Sequence, residues 1–237
     1  MDRKLSIPVL YEDEDLLVVN KPAGLLVHKT GAKREEHTLI DDIVATRPAM
    51  KTVGDDPARP GLVHRLDKDV SGVMAIAKTQ VGFEHLKKQF MERTADKTYV
   101  ALVYKPLPRD TGTISFKIAR SKARGRMTSR SGEQEGKEAI TTYDVLDRFR
   151  TTTLVSVNIK TGRTHQIRAH FLGIGHPVVG DKLYYIKHMR HIRPIEIDRI
   201  FLHAKRLEIE LIDGTRRAFE APMPEELEAI LKTLPKT

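Results

Sequence analysis

The stretch HRLDKDVSG, from His64 to Gly72, decides how the rest of the chain is interpreted. The residues GLVHRLD are typical of a packed strand, and DKDVSG is typical of the turn that ends it. The apolar run VMAIA that follows predicts a second, buried strand. Asp67 is therefore expected where a strand ends, a position at which rigid backbone often presents a functional side chain.

Three roles are open for the Asp67 carboxylate on these residues alone. It can cap the turn or pair with Arg65, it can attack a substrate, or it can bind a metal together with histidines. The histidines that a metal site would recruit are His64, His165, His170 and His176. They lack the paired acid and histidine spacing of hydrolase sites, so the sequence disfavours a metal.

The composition limits the class of protein. The chain has 237 residues, enough for one large domain or two small ones. It has no cysteine, which excludes disulfides, thiolate metal sites and cysteine nucleophiles. The N-terminus carries charges where a signal peptide needs an apolar core, and no apolar run approaches the length of a membrane span. These features predict a soluble, cytoplasmic protein. The net charge of +9 favours a polyanionic partner, nucleic acid first.

Two basic segments without acids are the local sign of such a partner. KIARSKARGRMTSR (117–130) and KHMRHIR (187–193) have the composition of loops, which predicts contacts to phosphates. The residues expected to contact a nucleic-acid backbone are Lys117, Arg120, Lys122, Arg124 and Arg126.

The pattern of apolar residues predicts the fold class. Six strands are expected, at 16–20, 72–79, 98–104, 141–149, 153–159 and 206–212. Three helices are expected, at 79–93 with Thr79 as N-cap, at 163–173 and at 224–234. Runs of strands without regular βαβ alternation predict an α+β fold with a mixed, largely antiparallel central sheet flanked by helices and loops. No domain boundary is evident, so 1–237 is expected to form a single domain.

Two further stretches carry candidate functional residues. In KTGRTHQIRAH (160–170), a helix that starts near Thr164 places Arg168 beside a buried stripe, which would hold its guanidinium in place. Such an arginine can form a structural ion pair, or it can face a catalytic carboxylate and keep it ionised in a water-poor cleft. In KTYVALVY (97–104), Tyr99 either packs in the core or stacks on an extruded base.

Together these blocks resemble the RluA-type pseudouridine synthases, in order and over nearly the whole chain. The matching segments are VLYEDEDLLVVNKPAGLLVH (9–28), GLVHRLDKDVSGVMAIAKT (61–79), KTYVALV (97–103), TGRTHQIRAH with GHPVVGD (161–181), and FLHAKRLEI with FEAPMPEEL (201–227). The HRLD and GRTHQIR blocks are the most specific of these.

The resemblance implies an isomerase that converts uridine to pseudouridine in structured RNA. Such an enzyme breaks the nitrogen–carbon glycosidic bond and rejoins the sugar through ring carbon five, without a metal or an organic cofactor. By the resemblance, Asp67 is the catalytic aspartate, and whether it attacks the sugar, attacks the ring or abstracts a proton stays open. Tyr99 would stack on the base, and Arg168 would pair with Asp67.

The resemblance also assigns residues to the substrate. Arg65 resembles the arginine that helps to displace the target nucleotide, and Leu202 falls in a block that supplies an apolar wall. His64 and Thr164 lie in the same matching blocks and are further candidates for substrate binding. Flipping a base out of structured RNA costs on the order of a few kcal/mol, which phosphate contacts and an aromatic face for the base can offset.

The sequence departs from the family pattern at two places. Val70 stands where the family usually has threonine, so a hydroxyl is lost while the β-branched shape is kept. Many relatives carry a small RNA-binding domain before the catalytic one, which is expected to be absent here. Recognition of RNA would then fall to the catalytic domain, with 117–130 and 187–193 as its candidate surfaces.

The substrate and two alternative classes of protein complete the expectations. By the resemblance, the block at 199–227 favours large-subunit ribosomal RNA, with transfer RNA as the alternative. A monomer is expected. A non-catalytic RNA-binding or ribosome-assembly protein with the same fold is a second possibility, and a metal-dependent RNA hydrolase is a third.

Overall fold

The computed structural model describes residues 6–29, 35–121, 126–130, 135–186, 189 and 192–236. The chain divides into two compact units. The first comprises Met1–Asp96 and Ala204–Pro222, and the second comprises Lys97–His203 and Met223–Thr237.

The first unit is built on a sheet whose strands follow the order β1, β2, β3, β10, β11. These strands are β1 (Val9–Glu12), β2 (Leu16–Lys21), β3 (Ser71–Ala77), β10 (Leu202–Glu210, from Ala204 on in this unit) and β11 (Arg216–Glu220). Pairing is antiparallel between β1 and β2, β2 and β3, and β10 and β11. All seven residues of β3 are buried, as expected for the central strand of a sheet that is covered on both faces.

Two α-helices accompany this sheet. In α1 (Leu39–Thr46), the Thr38 side chain accepts the Asp41 N–H while the Asp41 carboxylate accepts the Thr38 N–H, which is a complete capping box. A 3₁₀-helix, Pro48–Thr52, follows directly. In α2 (Gln80–Glu92), the predicted N-cap Thr79 is confirmed, because its hydroxyl accepts the Gly82 N–H at 3.0 Å.

The second unit contains a four-stranded antiparallel sheet and a separate hairpin. The sheet has the order β4 (Asp96–Tyr104), β9 (Thr152–Ile159), β8 (Thr141–Arg148), β5 (Thr111–Ile114). The hairpin pairs β6 (Lys117–Ser121) with β7 (Arg126–Arg130). The helices are α3 (Gln166–Gly173) and α4 (Glu225–Thr233).

Two apolar clusters hold the second unit together. The larger one packs β4 and β9 against α4, with Leu102, Phe201 and Leu227 fully or almost fully buried. The smaller one joins the hairpin to α3 through Ile118, Ala139, Ala169 and Tyr184. A bond of 2.6 Å from the Ser129 hydroxyl to the Ala169 carbonyl reinforces this second contact.

The predicted fold class is confirmed, as are the six strands and three helices, with boundaries shifted by a few residues. The prediction that 117–130 is a loop was wrong, because its described ends form β6 and β7. Among the described residues, no helix combines the length and apolar character needed to cross a membrane. The expectation that 1–237 is one domain stays a prediction.

Candidate active site

Asp67 lies at the first position of a β-turn rather than at the end of a strand. The Val70 N–H donates to the Asp67 carbonyl at 3.1 Å, and Leu66 and Val70 on either side are buried while Asp67 is half-buried. The strand predicted for 61–67 is absent, so this expectation was wrong. The spacing of apolar residues around Asp67 comes from Leu66 and Val70, which are buried on either side of a turn.

A side chain attaches this segment to the sheet in place of a strand ladder. The Ala75 N–H of β3 donates to His64 Nε2 at 3.0 Å, and the His64 ring stacks on Phe90 of α2 with 4.4 Å between centroids. Because Nε2 accepts a hydrogen bond, it carries no proton in this arrangement. His64 therefore positions the segment that carries Asp67, and its contact with substrate stays a prediction.

The residue after Asp67 is held by a buried lysine. Lys21 is fully buried at the end of β2, and its Nζ donates to the carbonyls of Pro22, Leu25 and Lys68 at 2.8, 2.8 and 3.0 Å. The Gly24 N–H also donates to the Lys68 carbonyl, at 2.9 Å. Lys21 stands in the matching stretch NKPAG (20–24), but its role could not be predicted from the sequence. Its partner Lys68 is 47 residues away in the chain.

Arg65 is exposed beside the turn, as a residue that engages a nucleotide would need to be. Burial lowers the pKa of the adjacent His28, and the positive charge of Arg65 lowers that pKa further. The Nδ1 atom of His28 is buried and has no hydrogen-bond partner in the described part of the chain. Both effects favour the neutral form of the His28 ring.

The other predicted site residues belong to the second unit. Tyr99 lies on β4 opposite Val157 of β9 and is 8 % exposed, and Leu202, at the start of β10, is 3 % exposed. Both are therefore rigidly packed on strands. The stacking role of Tyr99 and the apolar-wall role of Leu202 stay predictions.

Arg168 is fixed on α3 by a buried carboxylate. Its Nε and Nη2 donate to Asp181 Oδ2 and Oδ1 at 2.6 and 2.9 Å, a bidentate pair in which Asp181 has no exposed side-chain surface. The N–H groups of Leu183 and Tyr184 both donate to Oδ1, at 2.9 Å. The bidentate pair occupies one edge of the planar guanidinium, so Nη1 points away from Asp181. A structural ion pair was one of the two roles predicted for Arg168. The structure contains such a pair, and its acid is Asp181.

Tyr184 forms a cation–π support for this arginine. It is fully buried, and the guanidinium carbons of Arg168 and Arg126 lie 4.8 and 4.9 Å from its ring centre. Its hydroxyl is 3.0 Å from Nδ1 of His165. Burial raises the pKa of Tyr184 to about 12, although the charge of Arg168 opposes the rise. The phenol therefore stays neutral at any physiological pH.

The chain enters α3 through a left-handed residue. His165 has φ 54° and ψ 26°, a conformation that is uncommon for residues other than glycine, and the helix begins at Gln166 rather than near Thr164. The exposed Thr164 stands in the turn just before it. In this conformation the His165 ring contacts the buried Tyr184. A substrate role for Thr164 stays a prediction.

The candidate RNA-backbone residues are partly described. Lys117 is half-buried and Arg120 exposed on β6, while Arg126 on β7 donates to the Leu183 carbonyl. Lys122 and Arg124 lie outside the described residues, as does most of 187–193. Their predicted contacts to phosphates are therefore untested.

The four histidines considered as metal ligands each have other partners. His165 contacts Tyr184, His170 Nε2 lies 2.9 Å from the Phe116 carbonyl, and His176 Nδ1 lies 3.0 Å from the Tyr104 carbonyl. His64 accepts the Ala75 N–H. Across the described ranges there is no group of three or more His, Asp or Glu that could hold a metal ion.

The predicted residues therefore fall into two groups. His64, Arg65 and Asp67 share one short segment of the first unit. In the second unit, Arg168 and Arg126 lie over the Tyr184 ring, and Thr164 stands in the turn before α3. Tyr99 and Leu202 also belong to the second unit. The pairing of Asp67 with Arg168 stays a prediction.

Comparison with known proteins identifies the class. Residues 15–172 match the model of a family described as RNA pseudouridylate synthase, a range that contains Asp67, Tyr99 and Arg168. The chain is 36 % identical to ribosomal large subunit pseudouridine synthase D of Pseudomonas aeruginosa, over 97 % of this chain and 72 % of that protein. It is 37 % identical to an uncharacterized RNA pseudouridine synthase of Bacillus subtilis, over 98 % of this chain and 74 % of that one.

A solved structure agrees with these sequences. The human protein RNA pseudouridylate synthase domain containing 1 superimposes with a TM-score of 0.75 at 25 % identity, covering all of both chains. Fold and sequence thus define an isomerase that acts on RNA. The chain belongs to the RNA pseudouridylate synthase family.

Proposed function

We propose that this protein converts uridine to pseudouridine in large-subunit ribosomal RNA, with Asp67 as the catalytic carboxylate and no cofactor. The observation that carries the substrate class is the set of relatives named ribosomal large subunit pseudouridine synthase D. Four such relatives, from Zymomonas, Nitrosomonas, Pseudomonas and Blochmanniella, are 32–36 % identical over 97–99 % of this chain.

The reaction itself needs no external oxidant or reductant. The bond between N1 of uracil and C1′ of ribose breaks, a bond between C5 and C1′ forms, and the proton on C5 leaves while N1 gains one. Substrate and product are isomers, so atoms and electrons balance without a cofactor. A carboxylate suits this chemistry because it can act as a nucleophile or as a base.

Asp67 is supported as this carboxylate by how it is held. The turn is fixed by Leu66, Val70 and the carbonyl contacts of Lys21, so the main chain beside the carboxylate is rigid. On the resemblance to RluA-type synthases, Arg168 would pair with Asp67 and oppose the rise in pKa that a dry cleft causes in a carboxylate.

The remaining roles are proposed on the same resemblance. Tyr99 supports the extruded uracil with its ring, and Leu202 forms an apolar wall beside it. Arg65, exposed next to the catalytic turn, takes part in displacing the nucleotide. His64, which precedes Arg65, and Thr164, four residues before Arg168, also bind the substrate. Lys117, Arg120, Lys122, Arg124 and Arg126 contact the RNA backbone. The protein would act as a monomer and meet its substrate in the cytoplasm.

The test is pseudouridine mapping of ribosomal and transfer RNA from cells with and without the gene, using a base-selective chemical probe. We expect a mark in large-subunit ribosomal RNA that is lost without the gene and restored by wild type but not by Asp67→Asn. Loss of marks in transfer RNA alone would replace the proposed substrate by the alternative. Restoration by Asp67→Asn would refute the role of Asp67.

Purified protein then separates enzyme from binding protein. Wild type incubated with unmodified transcripts and a chelator should form pseudouridine in intact RNA. Binding without conversion would favour a ribosome-assembly protein. Cleaved RNA, or activity that the chelator abolishes, would favour a metal-dependent hydrolase.

A further inference from the structure

The turn after Asp181 exposes two large apolar side chains beside the basic hairpin. Tyr185 is 50 % exposed and Leu183 is 39 % exposed, whereas Tyr184 between them is fully buried. The side chains of residues 183, 184 and 185 therefore point outward, inward and outward in turn. None of the roles assigned above uses the two outward side chains.

The turn is rigid because its inward contacts are buried. Asp181 accepts the N–H groups of Leu183 and Tyr184, and Tyr184 packs in the apolar cluster with Ile118 and Ala169. The Arg126 guanidinium donates to the Leu183 carbonyl and lies over the Tyr184 ring. A half-exposed ring on such a turn loses little conformational freedom when it binds a ligand.

The surroundings of this face are basic. Lys182 is exposed at the start of the turn, and Arg126 links the turn to the hairpin. The described hairpin residues, 117–121 and 126–130, contain Lys117, Arg120, Arg126 and Arg130 and no acid. Aromatic rings set among basic side chains are the combination that binds unpaired nucleotides, since bases stack on the ring and phosphates lie against the cations.

We propose that Tyr185, flanked by Leu183, is a stacking site for an unpaired base of the RNA substrate other than the target uridine, with Lys182 and Arg126 beside its phosphates. The proposal rests on the proposed function only in that the ligand is RNA. An unpaired nucleotide fits better than a protein partner, because the exposed apolar face is small, Lys182 and Arg126 are positive, and the carboxylate of Asp181 is buried and paired with Arg168.

The test compares two substitutions of one residue. Tyr185→Ser removes the ring, whereas Tyr185→Phe keeps it and removes only the hydroxyl. Leu146→Ser is the matched control, since Leu146 is a 53 % exposed apolar residue of the same unit on β8. Dissociation constants are measured for a large-subunit ribosomal RNA fragment with loops and for a fully paired RNA of equal length, at several salt concentrations.

We expect Tyr185→Ser to weaken binding to the looped RNA by about 5- to 150-fold, the range for one stacked base. The dependence on salt should keep its slope, and Tyr185→Phe and Leu146→Ser should bind within about twofold of wild type. The penalty of Tyr185→Ser should disappear with the paired RNA, which offers no free base.

Three results would overturn the proposal. These are wild-type affinity in Tyr185→Ser, an equal loss in Tyr185→Phe, or a change in the sedimentation of the RNA-free protein that marks the face as a contact between copies. The binding assay does not require turnover. A wild type that binds RNA without converting it would therefore refute the proposed function and still leave the stacking site open to this test.

Discussion

The two segments that carry the central charged residues are held in opposite ways. Around Asp67, the contacts that fix the backbone run through main-chain carbonyls and the buried side chains of Lys21, Leu66 and Val70. Around Arg168, the contacts run through the functional side chain itself, which is paired with buried Asp181 and stacked on Tyr184.

Because of this difference, substitutions near Asp67 should affect mainly activity, and substitutions near Arg168 should affect mainly stability. Because the turn beside Asp67 is supported by Lys21, Leu66 and Val70, a substitution of the carboxylate leaves these supports in place. A buried ion pair cannot lose one partner without leaving an uncompensated charge, at a cost of roughly 3–5 kcal/mol. Equal chemical changes in the two segments should therefore have different effects.

The largest effect is expected for Asp67→Asn. Turnover should fall by at least about 10³-fold, because an amide can neither attack nor accept the proton. The free energy of unfolding in urea should change by less than about 1 kcal/mol, because the substitution preserves shape. Turnover is measured by pseudouridine formation under single-turnover conditions. A variant that is inactive because it is unfolded would break the comparison.

Asp181→Asn should act mainly on stability. We expect the free energy of unfolding to fall by about 3 kcal/mol, since the Arg168 guanidinium would lose its buried counter-charge. Asp144→Asn, an exposed acid of β8, serves as control and should stay within about 0.5 kcal/mol of wild type. Equal stability of the two variants would show that the buried pair contributes nothing.

Lys21→Met tests whether the main-chain support depends on one lysine. The substitution leaves three carbonyls without their shared donor, which should lower the free energy of unfolding by about 2 kcal/mol. Turnover should fall as well, because the turn beside Asp67 loosens. Lys51→Met, an exposed residue of the same unit, is the control. Full activity in Lys21→Met would show that the turn beside Asp67 keeps its conformation without the contacts of Lys21.

A smaller effect is expected from the exposed cation of the hairpin. Arg120→Gln should weaken RNA binding and lower the slope of log Kd against log salt by about 0.7–0.9, the value for one phosphate contact. Lys88→Gln, exposed on α2 and outside the basic segments, should leave the slope unchanged. An unchanged slope in Arg120→Gln would make that side chain solvated surface only.

The smallest effect concerns pH. Hydrogen bonding to Arg47 lowers the pKa of Glu12 from 4.5 to about 2, so the stability that this carboxylate adds is present above pH 4.5 and is lost between pH 4.5 and 2. In the other unit, burial raises the pKa of Tyr184 from 10.0 to about 12, so its contribution is present below pH 10 and is lost between pH 10 and 12.

Single substitutions separate the acid limb and the alkaline limb of the dependence of stability on pH. The urea midpoint is measured as a function of pH. In Glu12→Gln, the loss of unfolding free energy between pH 4.5 and 2 should be smaller than in wild type by about 1 kcal/mol, a value reduced for solvent screening. Tyr184→Phe should flatten the alkaline limb and leave the acid limb intact. Flattening of the acid limb in Tyr184→Phe would contradict the assignment.

The sequence predicts those parts of the fold whose signals are local. Thr79 and the stripe of α2 are readable because a cap and its helix lie within a few residues of each other. The capping box at Thr38 and Asp41 was equally local, but α1 was not predicted. The strands β6 and β7 were assigned to a loop because their basic side chains conceal the one fully buried position, Ile118.

The site was predicted in its charged residues and missed in their supports. Asp67 and Arg168 stand in specific motifs, so the chain alone indicates them. The role of Lys21 depends on a carbonyl 47 residues away, and that of Asp181 depends on a turn that follows α3. Such partners are set by tertiary structure. The same holds for the false strand at 61–67, where burial around a turn imitates strand periodicity.

The burial of Lys21 makes this residue a chemical reporter. Its ammonium has no access to solvent and is held by three carbonyls, so an amine-reactive reagent can modify it only when the chain opens there. The rate of acylation at Lys21, read by peptide mass spectrometry against exposed Lys51, therefore measures how often the turn beside Asp67 opens in the native protein. The same rate, followed while RNA is added, would show whether substrate holds that turn closed.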